Sequence, residues 1–114
     1  MPYKKEIQKF LREIGINNTY LGYYYVTYAI QLVIDDETKL ILISKWLYPD
    51  VAIKFHTSVA CVERNIRTII QTIWEHGNLE LLETAAGCKL RDKPTNSEFI
   101  SIIASYIRSL HESL

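Results

Sequence analysis

Residues 49–76 read PDVAIKFHTSVACVERNIRTIIQTIWEH, and this stretch decides the fold. Pro49 suits the first turn of a helix and disfavours the α region for Tyr48, while Asp50 beside it favours the positive end of the helix dipole. A short helix is therefore predicted from Pro49 to about Phe55. His56, Thr57 and Ser58 then form a tight turn with a hydroxyl to cap the next helix. Val59, Val62, Ile66, Ile69, Ile70, Ile73 and Trp74 recur at helical spacing, which predicts a long helix stopped by Gly77. Two helices joined by so short a turn match the spacing of a helix-turn-helix over about residues 49–76, whose second helix docks in a DNA major groove. Ala52 is expected at the close contact between them, above Val59 and Val62.

The flanks are helical too. Ile7, Phe10, Leu11 and Ile14 share one face and Gly15 ends a first helix begun near Lys4. Asn17 to Thr19 can cap a second, from about Tyr20 to Ile34, which is too long for an average strand and has no strand neighbour to pair with. Asp35, Asp36 and Glu37 open a third, with Leu40, Ile43 and Leu47 on one face, that Pro49 ends. After the long helix, Asn78 caps Leu79 to Ala86, closed by Gly87, and Cys88 to Lys93 is a polar loop. Thr95-Asn96-Ser97-Glu98 is a capping box ahead of Phe99, Ile103, Tyr106, Ile107 and Leu110. The expected class is all-α, with about six helices, an embedded helix-turn-helix and no strands.

Composition bounds the function. The 114 residues are 48% hydrophobic and 23% charged with 4 Gly and 3 Pro, so a single packed domain over 1–114 is expected rather than a disordered or linker chain. Thirteen basic and thirteen acidic residues cancel, which excludes a polybasic tail but not a local basic patch. Cys61 and Cys88 form neither a CxxC pair nor a secreted disulfide framework, and no leader precedes Lys4, so a cytoplasmic protein is expected. Within the uncharged run from Ile14 to Ile34, the polar residues Asn17 to Thr19 leave an apolar part, Tyr20 to Ile34, that falls short of the roughly 20 residues a membrane span needs.

Enzyme signatures are missing. There is no HExxH, Walker loop, GxGxxG or GxSxG. His56 and Cys61 flank a turn without a third orienting group, and Asp50, His56 and Cys61 match no structural zinc spacing. No catalytic residue, cofactor or metal is expected.

Nucleic-acid chemistry is the stronger signal. At about 100° per residue the long helix turns Val62, Ile66, Ile69 and Ile73 inward and Cys61, Arg64, Thr68 and Gln71 outward, with Ala60, Glu63 and Arg67 along one flank. Its first turns present Glu63, Arg64 and Arg67 to a groove. Arginine forks onto guanine acceptors and a carboxylate accepts from the cytosine amine, so Glu63 beside Arg64 reads as a G·C pair reader. The plainer alternative is a solvated i, i+4 ion pair between Glu63 and Arg67.

At these residues the chain resembles the DNA-binding effector domain of the stage zero sporulation protein A response regulators of endospore-forming bacteria. The likeness runs from Ile7 to about His111. It is carried by Glu13-Ile14-Gly15, Gly22-Tyr23, Leu47-Tyr48-Pro49-Asp50 with Ala52, Lys54 and Phe55, Val62-Glu63-Arg64 with Ile66-Arg67, Trp74, Gly77-Asn78 and Lys93-Pro94-Thr95-Asn96-Ser97-Glu98-Phe99-Ile100. The resemblance implies an all-helical effector of the winged-helix-like response-regulator class that binds TGTCGAA-type boxes as a dimer on tandem sites. It also implies control by a phosphorelay receiver, for which the effector helices leave no room within these residues, and contact with the RNA polymerase sigma subunit.

Carried over by residue, Glu63 and Arg64 match base-reading positions and Arg67 a DNA-contacting one. Thr57 and Ser58 match the turn that approaches phosphate, and Lys93 a loop near the backbone. Lys54 joins the expected phosphate-holding set. Cys61 stands where the family usually carries a DNA-touching arginine, and Glu80 and Glu83 stand where polymerase contact is expected. Two functions compete on these grounds. The expected one is a sequence-specific transcription regulator of sporulation, favoured by the intact Glu63-Arg64 and the Lys93 loop; the alternative is a helical protein–protein interaction module that keeps the fold without promoter binding, favoured by Cys61, the zero net charge and the acids near Glu80.

Overall fold

The structure is a computed structural model and describes residues 3–112, so the domain limits expected at residues 1 and 114 lie outside the described residues. Among the described residues there are six α-helices and no strand: α1 (Lys4–Ile14), α2 (Leu21–Asp35), α3 (Tyr48–Lys54), α4 (Val59–His76), α5 (Leu79–Ala86) and α6 (Asn96–Glu112). The all-α expectation holds. Among the described residues no helix is long and apolar enough to cross a membrane.

α2 is the axle of the molecule. Apolar on nearly every side, it is a core helix rather than an amphipathic one, and Tyr23, Tyr25, Val26, Ala29, Ile30 and Val33 are all buried. α4 and α6 pack against it and α1 lies alongside. Its buried Thr27 hydroxyl donates to the Tyr23 carbonyl at 2.6 Å, which satisfies a polar group shut away from water. The last turn of α2 is closed from outside. Arg108 of α6 donates to the carbonyls of Val33 and Ile34 at 3.3 and 2.8 Å and pairs with Glu37, placing a cation at the negative end of the helix.

Most helix ends follow from local chemistry. Gly15 takes φ 121° after α1, Gly87 takes φ 75° after α5, and the Asn78 side chain accepts from Leu81 N–H at 3.0 Å. The capping box forms reciprocally: Glu98 N–H donates to Thr95 Oγ1 at 3.1 Å and Thr95 N–H to Glu98 Oε1 at 2.9 Å, which holds the Glu98 carboxyl below its usual range. Gly77 stops α4 for another reason. Its φ is −87°, which any residue adopts, but a Cβ there would lie 2.6 Å from the Ile14 carbonyl oxygen, where the ends of α1 and α4 meet backbone to backbone.

Three expectations need correction. Asn17 to Thr19 do not cap α2: Asn17 accepts from the Thr19 N–H and hydroxyl in its own turn, and the residue at the cap position is Tyr20, without a side-chain bond. The third helix expected from Asp35 to Leu47 is instead a 3₁₀ turn, Glu37–Leu40, then a π turn, Ile43–Leu47, running into α3. Asp36 caps the first by accepting from Thr38 N–H at 3.1 Å, and Leu42 breaks the path with φ −129° and ψ 76°. Pro49 has no N–H to offer the preceding turn, so an α ladder cannot run through it unchanged. Leu40 and Ile43 still lean on the core and Leu47 is fully buried, but Ile41, Leu42 and Trp46 are exposed.

Pro49 also does not keep Tyr48 out of the α region. Tyr48 begins α3 with φ −58° and ψ −40°. It is buried, and its hydroxyl accepts from Asn96 Nδ2 at 2.9 Å, so a tertiary anchor outweighs the local preference.

Candidate nucleic-acid interface

The turn between α3 and α4 is tight because His56 adopts φ 53°, and Thr57 N–H returns to the Ala52 carbonyl at 2.9 Å. Ser58 Oγ then accepts from Cys61 N–H at 3.1 Å and caps α4. Ala52 is buried at the helix crossing and Val62 beneath it, whereas Val59, expected in the core, is 36% exposed at the start of α4. The helix-turn-helix is therefore formed, and α4 presents its outer face beyond it.

Arg64, Arg67, Thr68, Gln71 and Thr72 of α4 line one groove of about 310 Å³ together with Lys93. Arg67 and Lys93 also line a second, of about 420 Å³, with Ser44, Tyr48, Glu63 and Thr95 to Ser97 at the start of α6. The two cations stand on the ridge between the grooves. Lys93 is far from α4 in sequence and reaches it through a fixed loop. Pro94 is buried, the Thr95 capping box anchors the loop, and Asn96 Nδ2 donates to Tyr48 Oη and to the Glu63 carbonyl at 2.9 and 3.1 Å. Burial holds the Tyr48 hydroxyl above its usual range, so it stays a neutral partner.

The charges are arranged unequally. Arg67 Nη2 donates to Glu63 Oε1, Lys93 Nζ to Gln71 Oε1, and Gln71 Nε2 to Glu75 Oε1. The Glu63–Arg67 ion pair considered from spacing is thus present. Arg64 has no carboxylate partner among the described residues and is exposed. An unpaired guanidinium is free to fork onto a base edge or a phosphate.

The structure brings Glu63, Arg64, Arg67 and Lys93 together, and places the other expected residues elsewhere. Lys54 lines a separate groove with Lys4, Tyr24, Tyr28 and Gln31, its ammonium 5.6 Å from the Tyr28 ring centre. Ser58 has its oxygen engaged as the cap. Cys61 does not face outward as its angle on an isolated helix suggests. It is partly buried in the seam between α4 and α2, its Sγ 4.0 Å from Tyr25 Oη and 3.3 Å from Asn65 Nδ2. A hydrogen bond with Thr57 is the largest influence holding its thiol below the usual range, against the cost of burial, with Tyr25, Arg64 and Asn65 acting in the same direction. The correction has a plain cause: α2 packs closely enough to cover a flank that the helix alone leaves open.

Thr68, Gln71 and Thr72 belong to this surface. Their spacing from Arg64 placed Thr68 and Gln71 outward but carried no sign of a site, because hydroxyls and amides are common on solvated helix faces. Ser44 and Ser97 reach the larger groove only through the π turn and the α6 start. Among the described residues no group of three or more His, Cys, Asp or Glu side chains is gathered as a metal site. The family model for sporulation initiation factor Spo0A, C terminal, matches residues 7–107.

Proposed function

Because the chain belongs to the sporulation initiation factor Spo0A C-terminal family, a DNA-binding regulatory family, we propose that it recognises TGTCGAA-type duplex boxes through α4 and acts as a dimer on tandem sites. The observation that carries this is the convergence of Arg64, Arg67 and Lys93 along the outer face of a helix-turn-helix second helix. Arg64 reads guanine with Glu63 accepting from the partner cytosine, while Arg67 and Lys93 hold phosphate from the ridge between the grooves, with Thr68 and Gln71 beside them. Thr57 and Ser58 approach the backbone at the turn. Lys54 serves as a peripheral phosphate contact from its own groove. The chain works without a cofactor and without catalysis. Contact with the RNA polymerase sigma subunit falls to α5, where Glu80 is exposed in the first turn while the Glu83 carboxylate accepts from Leu90 N–H at 2.7 Å.

Binding to one-box, two-box and scrambled duplexes over a salt series tests the whole proposal. The expected result is a cognate preference that persists as salt rises and tighter binding per site on two boxes than on one, since adjacent copies share an effective concentration. Equal affinity for all three duplexes at every salt overturns it in favour of the interaction module.

Lys93→Ala is expected to weaken cognate and scrambled duplexes alike and to reduce the salt slope by about one unit, because a phosphate contact releases counterions without reading sequence. An unchanged slope in the same titration removes Lys93 from the interface.

A further inference from the structure

The larger groove beside α4 holds two cations, Arg67 and Lys93, and the first turn of α6, and Glu63 is the single carboxylate among the described residues lining it. That carboxylate takes up Arg67 directly. A phosphate entering this groove meets the same guanidinium and competes with a carboxylate that already engages its Nη2. We propose that Glu63 is an internal stand-in for phosphate that gates the groove against non-cognate DNA, in addition to any base it reads.

The gate rests on the DNA-binding proposal and deepens it. On a cognate box, Glu63 leaves Arg67 because the cytosine amine offers the carboxylate a new donor, and Arg67 is released to the backbone in the same step. On any other sequence Glu63 has no such donor. Either it stays on Arg67, and the duplex loses one phosphate contact, or it is pushed aside unpaired next to the phosphates, where like charges repel. Discrimination then comes from a penalty on wrong DNA as much as from a gain on the right one. Asn96 reaches the Glu63 main-chain carbonyl rather than its carboxylate, so the loop carrying Lys93 keeps its anchor when the side-chain charge is removed.

Glu63→Gln keeps the size and removes the charge. Anisotropy titrations of wild type, Glu63→Gln and the double variant Glu63→Gln/Arg67→Gln on cognate and scrambled duplexes at several salt concentrations test the gate, with a thermal melt for each protein. Glu63→Gln is expected to bind scrambled DNA about tenfold more tightly and with a salt slope steeper by about 0.9, while its preference for the cognate box falls. With Arg67→Gln measured alone to close the cycle, removing the Glu63 charge is expected to leave scrambled affinity and slope nearly unchanged when Arg67 is absent, because the gain runs through Arg67. Glu63→Ala gives the same direction and guards against a new bond made by the Gln amide. If the neutral variants lose cognate affinity with scrambled affinity and slope unchanged, Glu63 reads a base and gates nothing. If scrambled binding tightens equally with Arg67 removed, the gate is overturned as well. Absence of cognate preference in the wild type is a different failure, since it overturns the DNA-binding proposal itself.

Discussion

Gly22→Ala should destabilise the fold by about 3 kcal/mol and lower the melting temperature by roughly 10 °C. Gly22 is buried in the first turn of α2 where that helix crosses α4. A Cβ at this position would collide with the Asn65 carbonyl oxygen and come within 2.7 Å of Ile69 Cγ2. The nearest atom is backbone of another helix and cannot rotate away, so α2 and α4 must separate. Helix propensity acts the other way, but its gain for alanine over glycine is at most about 1 kcal/mol, and the clash wins. The comparison is Gly87→Ala, where nothing lies within 4 Å but φ is 75°; it should cost only about 1 to 2 kcal/mol from the left-handed backbone. Thermal and urea unfolding of the two variants check this. A Gly22→Ala protein as stable as wild type would mean that the α2–α4 crossing has room for a methyl group.

Arg64→Ala should lose about 1 to 3 kcal/mol on a cognate box and relax the preference at one G·C pair. Of the clustered cations on α4, Arg64 is the one without a carboxylate partner among the described residues, so no ion pair with them must break before it meets a base. Alanine is a good helix former, and the position is exposed, so the melting temperature should hardly move. Titration on duplexes substituted at each pair of the box checks the outcome. Equal weakening on cognate and scrambled DNA would assign Arg64 to phosphate instead, and the base reading to another residue.

Both variants act at α4, yet the residues behind them differ in how openly they show in a sequence. The amphipathic face of α4, the Ser58 cap, the Thr95 and Glu98 box and the Gly15 and Gly87 helix ends are legible because each depends on residues within a few positions of one another. Glu63, Arg64 and Arg67 are legible as neighbours for the same reason, as their spacing alone puts them on adjoining strips of one helix. The resemblance added Lys93, which no local pattern ties to α4.

What the chain determined by itself is therefore the six helices as segments, the ends closed by Ser58, Asn78, Thr95 and the glycines, and the charged strip at positions 63, 64 and 67, since these are short-range properties of backbone and side chain. Tertiary packing decided the rest. It split residues 37–47 into a 3₁₀ and a π turn and held Tyr48 helical before Pro49, through a hydroxyl bonded to Asn96. It covered Cys61 with Tyr25, sent Lys54 to a different groove, and set Lys93 beside Gln71. Each of these depends on groups distant in sequence that meet only once α2, α4 and α6 have buried their apolar faces, and hydrophobic burial has no direction of its own until the partners are in place.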